Sequence, residues 1–336
     1  MKKKLTVVPC VLSLSLLAAC GAQAADPAEN PTAAPETQTA TAEKRTIGIV
    51  QLAENGAFAD MRNGFIDRLR ELGYGEDELS FDFQEAGGDG ATMNSICQSM
   101  VDQGVDLIVP VVTPATQAAV NLGSDVPVIF ISVTDPVGAG IMGDMAHPDK
   151  NATGTSNAVP VDEIFKLAAT LTPDVKNYGI LYSASETNAA ITVEKAKTYL
   201  DGAGIAYTEQ VVTSSGEVQQ AAQALADTCD AIYVPIDSVI QSAMPQVAEV
   251  ATEAGIPVYG SSAVMVASGA LATVSVSDQE IGALSADMAD RYFKGTAIAD
   301  IPATTLDTFQ TVVNGATAEA LGVNVPEDGD VAVIGG

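Results

Sequence analysis

Five places in the chain put a hydroxyl, an amide or a carboxylate directly after a short apolar run. Thr113 and Pro114 follow LIVPVV, and Thr134 and Asp135 follow VIFISV. SASETN, Ser183 to Asn188 with Glu186 inside it, follows YGILY. Asp237 and Ser238 follow AIYVPI, and Ser261 and Ser262 follow IPVYG. The spacing predicts Thr113 as a helix N-cap with Pro114 at the first helical position. Free main-chain N–H groups would then point outward, a setting that suits an anion such as a carboxylate. Capping alone accounts for any one of these ends. Together, on one cleft, they point to a zwitterionic or polar small ligand.

The parts for catalysis are missing. No base stands beside a nucleophile, no S-x-x-K opens a helix, and His147 sits in the polar loop AHPDK. With one histidine in 336 residues, a His-rich zinc site is excluded and a Ser-His-Asp triad has little room. Gly138–Gly143 (GAGIMG) spell G-x-G-x-x-G, but Pro136 separates them from the strand before and Pro148 forbids a useful helix after. They read as a turn-rich loop, not a dinucleotide site. Cys97 and Cys229 lie in apolar patterns and are expected as buried thiols. The expectation is a binding protein without cofactor or metal, and not an enzyme.

Composition agrees. Acids outnumber bases 43 to 15, a formal charge of −28, so nucleic-acid binding is excluded. Aromatics are 5% with no tryptophan, against an aromatic-lined sugar groove. Hydrophobic residues at 47% over this length suffice for two cores.

The elements that position the polar ends alternate between short apolar runs and helical ones. Strands are expected at 46–52, 79–84, 106–112 and 127–133, then at 178–183, 205–212, 231–236 and 256–261. Phe58, Met61, Phe65, Leu69 and Leu72 recur at helical spacing between the first two, as do Val218, Ala221, Ala222 and Leu225 later. Gly73, Gly104, Gly204 and Gly255 each follow a last helical turn. This rhythm means right-handed βαβ units, hence two doubly wound parallel-sheet lobes. A further run at 271–276, a helix from Asp278 and a run at 304–314 suggest that the chain recrosses between lobes. The expected division is 46–158 plus 272–300 for one lobe and 159–271 plus 301–336 for the other. Ligands of such sheets bind outside the carboxyl ends of the strands, here between the lobes.

Lys2, Lys3 and Lys4, the apolar stretch Leu5–Leu17 and LAAC ending at Cys20 read as a secretory leader. Small residues before Cys20 resemble the lipobox of bacterial lipoproteins, in which that cysteine is diacylated after cleavage. Residues 1–19 are then a signal peptide and 20–45 a lipidated cysteine with a flexible Ala-, Thr- and Pro-rich tether.

VTDPVGAG (133–140), NATGTSN (151–157), LYSASETNA (181–189), VPIDS (234–238) and GIVQ…RNGFIDRL (48–69) resemble ABC-transporter substrate-binding lipoproteins of the tryptophan/tyrosine transport family. The resemblance covers about residues 46–325. It implies a type I periplasmic-binding-protein fold with three crossings, a ligand clamped between lobes, and delivery to a permease driven by an ATPase. The cargo would be an aromatic amino acid, and the protein an extracytoplasmic, lipid-anchored monomer. The resemblance places Thr113 and Thr134 near the ligand carboxylate and Asp237 near its ammonium group, with Glu186 and Asn188 facing the cleft. Asp135, Ser156 and Ser261 join them, and Phe58 and Tyr182 would flank the side chain. Where the family has His-Pro-Ala-Leu-Asp, this chain has Asn55-Gly56-Ala57-Phe58-Ala59, and Asn157 replaces an aspartate after Ser156. Two carboxylates are thus missing near the cleft, which admits another amino acid or a less charged ligand. A ligand-presenting sensor lipoprotein of the same fold is the alternative from another class.

Overall fold

The computed structural model describes residues 44–326 and 331–335. The leader, Cys20 and the tether up to residue 43 lie outside the described residues.

The first block runs β1 (Arg45–Gln51), α1 (Gly56–Glu71), β2 (Leu79–Glu85), α2 (Gly90–Gln103) and β3 (Leu107–Pro110). It continues through α3 (Val112–Asn121), β4 (Val128–Phe130) and β5 (Ala152–Ser156). After α4 (Val161–Leu171), the second block runs β6 (Asn177–Ser183), α5 (Thr187–Ala203), β7 (Ala206–Val212), α6 (Val218–Ala226) and β8 (Ala231–Tyr233). Then come α7 (Ser238–Ser242), α8 (Met244–Ala254), β9 (Val258–Tyr259), α9 (Ala263–Ala267) and β10 (Ala272–Ser275). The chain closes with α10 (Asp278–Phe293), β11 (Thr304–Thr305), β12 (Gln310–Asn314), α11 (Gly315–Leu321) and β13 (Val331–Ile334).

One sheet has the order β11-β5-β4-β3-β1-β2 and the other β13-β12-β10-β9-β8-β6-β7. The first is wholly parallel, and in the second only β12 runs against its neighbour β10. Within each block the strands lie in the same order: second, first, third, fourth, fifth. The winding therefore reverses between β1 and β3 in one lobe and between β6 and β8 in the other. In such sheets the crevice for a ligand opens at that reversal, beyond the carboxyl ends. This is the expected α/β architecture of two doubly wound lobes.

The chain crosses between the sheets after β5, after β10 and after β11. Residues 272–275 form β10 of the second sheet, and Thr304–Thr305 form β11 of the first. The crossings thus fall after 275 and 305, a few residues beyond the 272 and 301 read from sequence. The apolar pattern marks a strand but not the sheet it joins. Two strands went unread. In β5 (ATGTS) the buried side chains are largely hydroxyls, and β13 is a short edge strand.

Apolar faces explain the packing. Ile47, Ile49, Leu107 and Val109 meet Met61, Phe65, Met93 and Ile281 in the first core. The second sheet is covered on both faces, by Val218, Leu225, Val247 and Met265 on one and by Phe165, Val193 and Leu200 on the other. Cys97 and Cys229 are buried free thiols. Helix α10 returns to the first lobe and lies against α1. A Cβ on Gly64 would strike the main chain of Gln279, and one on Gly282 the main chain of Met61, so only glycine allows this approach.

The lobes touch on both flanks of the cleft. Val264 of α9 packs on the first core. Opposite, Asp135 meets Lys195 of α5 at 3.6 Å, and Ile191 lies against Gly138. This is a closed arrangement.

Candidate functional site

Polar residues stand at the strand ends and helix starts around both reversals. From the first lobe come Asn55 after β1, Thr113 at the start of α3, and Ser132 and Thr134 after β4. Asn55 caps α1, its Oδ1 accepting from the Phe58 N–H at 3.0 Å, but its Nδ2 has no partner. The hydroxyls of Thr113, Ser132 and Thr134 are buried and have no hydrogen-bond partner within the protein. Thr113 is not the cap expected from sequence. The helix begins two residues earlier than expected, at Val112 after Val111, without a side-chain cap. Val112 has φ +65 and Ser132 φ +66. For a β-branched residue that is a costly conformation, of the kind held at functional sites. It lets the chain turn sharply from β3 into α3.

The crossing after β5 supplies Ser156 and Asn157. Ser156 Oγ donates to the Thr134 carbonyl at 3.1 Å and accepts from the Ala158 N–H, which fixes the crossing. Asn157 Oδ1 is buried without a partner.

From the second lobe, Asn188 at the start of α5 donates through Nδ2 to the Ile236 carbonyl at 2.8 Å, leaving Oδ1 unpartnered. Glu186 and Asp237 are 2% and 1% exposed. Glu186 Oε1 accepts from the N–H groups of Ser238 (2.8 Å) and Val239 (3.2 Å). Asp237 caps α7: one oxygen takes the Val239 and Ile240 N–H groups, each at 3.0 Å, and the other takes the Ser183 N–H at 2.6 Å. Burial pushes the Asp237 carboxyl up, against those three bonds, and pushes Glu186 up with the Asp237 charge adding to it. Ser261 Oγ donates to the Val234 carbonyl at 2.8 Å.

Three expected residues are engaged within the protein itself. Tyr182 shares a strand face with Tyr178 and Ile180 and packs on the second core, its hydroxyl donating to Glu209 at 3.0 Å. Phe58 belongs to the first core. Asp135 accepts from the Gly138 N–H and faces Lys195 across the lobes. Sequence reasoning missed the apolar wall: Val159, Val161, Ile164, Tyr233 and Ile236 line a cavity with Thr134, Thr192, Lys195 and Ser261. They read as core because aliphatic and aromatic residues on helix α4, in the crossing before it and at or just after the end of β8 carry no signal of their own. The cavity measures about 20 Å³, less than a ligand side chain, so admission of a ligand requires the lobes to part.

Residues 46–332 match the family model "ABC transporter substrate binding protein". The chain is 35% identical to a tyrosine-binding protein of Clostridioides difficile over 94% of its own length and 90% of the relative's. Among solved structures, an ABC domain from Streptococcus pneumoniae in complex with L-Trp aligns with TM-score 0.83 at 33% identity, covering 87% of this chain and 100% of that one. The ligand-free, open structure of a substrate binding protein with adhesive properties from Clostridium difficile aligns with 0.68 at 34%, covering 86% and 99%. The chain belongs to the ABC-transporter substrate-binding family. Its described residues contain no helix long and apolar enough to cross a membrane.

Proposed function

We propose that this protein captures an aromatic amino acid between its lobes and presents it to the permease and ATPase of an importer. One observation carries the reading: among the described residues seven buried side-chain polar atoms lack partners, and all but Ser275 Oγ of β10 belong to the first-lobe strand ends, the crossing after β5 or the start of α5, with donors and acceptors both among them. Asn55 Nδ2 and the hydroxyls of Thr113, Ser132 and Thr134, all on the first lobe, can donate, whereas the amide oxygens of Asn157 and Asn188 only accept. An α-amino acid brings an acceptor carboxylate and a donor ammonium on one carbon. Leaving each such atom unpaired costs about 1–3 kcal/mol, so closure is unfavourable until a ligand of both characters completes the bonds. The wall of Tyr233, Ile236, Val161 and Ile164 suits an aromatic side chain, and the likeness to the tyrosine-binding relative and the L-Trp complex supports that choice. No chemical step is assigned to the protein.

Thermal-shift screening of the purified protein against amino acids, nucleosides and sugars tests the reading. Tryptophan, tyrosine or phenylalanine at 100 times its dissociation constant should stabilise by about 2.7 kcal/mol. A shift with a sugar or nucleoside and none with any amino acid would overturn it. The leader and LAAC motif support anchoring through Cys20. Cys20→Ala should then move the protein from the membrane fraction to the soluble one, where it acts as a monomer.

A further inference from the structure

The second lobe holds two buried carboxylates with no basic partner. Among the described residues, neither Glu186 nor Asp237 makes an ion pair with a lysine, arginine or histidine. Asp237 is the charged group that acts on Glu186, and Lys195, further along α5, is engaged with Asp135. The two acids are not equivalent. Both oxygens of Asp237 are held by main-chain N–H groups at 2.6–3.0 Å. Glu186 has one such oxygen, while its Oε2 has only distant donors, Asn188 Nδ2 at 3.4 Å and Ser238 Oγ at 3.5 Å. Beside it, Asn188 Oδ1 is buried with no donor at all. Two like charges enclosed together without a cation do not both remain ionised, and the one with poorer donors takes up a proton.

We propose that Glu186, rather than Asp237, meets the ligand's ammonium group, and that the site exchanges a proton for this cation on binding. The groups around Glu186, namely Ser238, Val239, Asn188 and Asp237, all belong to the second lobe and stay with it when the lobes part, so in the free protein Glu186 is the neutral acid. The ligand's ammonium enters between Glu186 Oε2 and Asn188 Oδ1 and remains an ammonium. Glu186 gives its proton to solvent and becomes the paired carboxylate, so one proton leaves for each cation bound. This rests on the amino-acid reading above and adds its regulation: affinity falls in acid. Burial and the Asp237 charge both push Glu186 in the required direction. The sign follows from linkage: the free protein binds more protons than the complex, so affinity rises with pH from the ordinary glutamate range until Glu186 of the free protein is itself ionised.

Calorimetric titration of the purified protein with L-tryptophan at neutral pH, in two buffers of different ionisation enthalpy, measures the exchange. The expected release is about half to one proton per ligand, with affinity rising by up to about tenfold per pH unit through the linked window. Indole-3-propanoate, which lacks the ammonium, should release none. Glu186→Gln should abolish the release and flatten the pH dependence while weakening L-tryptophan. If that variant does not fold, the buffer and analogue comparisons on the unaltered protein still decide. Firm L-tryptophan binding with equal heats in both buffers and pH-independent affinity would overturn the exchange and leave the cargo reading intact. No binding of L-tryptophan, L-tyrosine or L-phenylalanine would overturn both.

Discussion

Asp237→Ala separates two roles that one buried carboxylate could play. If Asp237 held the ligand's ammonium group, its removal would abolish binding and leave the free protein's fold largely untouched. In the proposal above it has the second role. Its oxygens satisfy the N–H groups of Val239 and Ile240 in the first turn of α7 and of Ser183 at the end of β6. Losing an N-cap costs about 0.5–2 kcal/mol, and orphaning the enclosed Ser183 N–H about 1–3 more. The total, about 2–5 kcal/mol, is a large part of the 5–15 kcal/mol typical of a folded protein. Relief of the Asp237 charge beside Glu186 offsets some of this, so the lower half of the range is expected. Urea unfolding of the free protein measures it. L-tryptophan affinity of the folded fraction should change only a few-fold. A wild-type unfolding midpoint together with a hundredfold loss of affinity would refute the argument and return the ammonium to Asp237.

Three further outcomes follow from particular contacts. Thr134→Val removes a hydroxyl that has no protein partner; stability of the free protein should stay within about 0.5 kcal/mol while L-tryptophan affinity drops about tenfold by calorimetry. Gly282→Ala drives a methyl into the main chain of Met61 and Phe65 and should cost about 1–3 kcal/mol in urea unfolding, whereas Gly56→Ala, with open space around it, should be near neutral. Asp278, half-buried beside Asp60, has its carboxyl pushed up to about 7, by burial first and Asp60 second. A raised acid favours the folded state at low pH and loses that advantage as pH climbs from about 4 to 7, so Asp278→Asn should gain about 1–2 kcal/mol at pH 8 and little at pH 5. An equal difference at both pH values would contradict the linkage.

The βαβ rhythm was legible because strands such as IGIV and LIVP are short, apolar and β-branched, and because glycine ends the helices between them. Polar residues at strand ends were equally plain. Their roles were not. Thr113 before Pro114 has the pattern of a cap, yet the positive φ of Val112 starts the helix early and frees the threonine hydroxyl. Strand period two could have placed Tyr182 with Tyr178 and Ile180, away from the cleft. Asp237 and Glu186 read alike as acids after a strand. Only the count of N–H groups around each oxygen separates a saturated cap from a carboxylate with capacity to spare. Tyr233, Ile236 and Val161 are indistinguishable from core until two lobes are brought together around them.

The central claim is that the lobes part without cargo and close upon an aromatic amino acid. Small-angle scattering from the purified protein, with and without saturating L-tryptophan, tests this most directly. Closure without a ligand buries polar atoms that have no partners, so the free protein should scatter as the open form and the radius of gyration should fall on binding. An unchanged radius at proven saturation would contradict the account and place the ligand within a single rigid lobe.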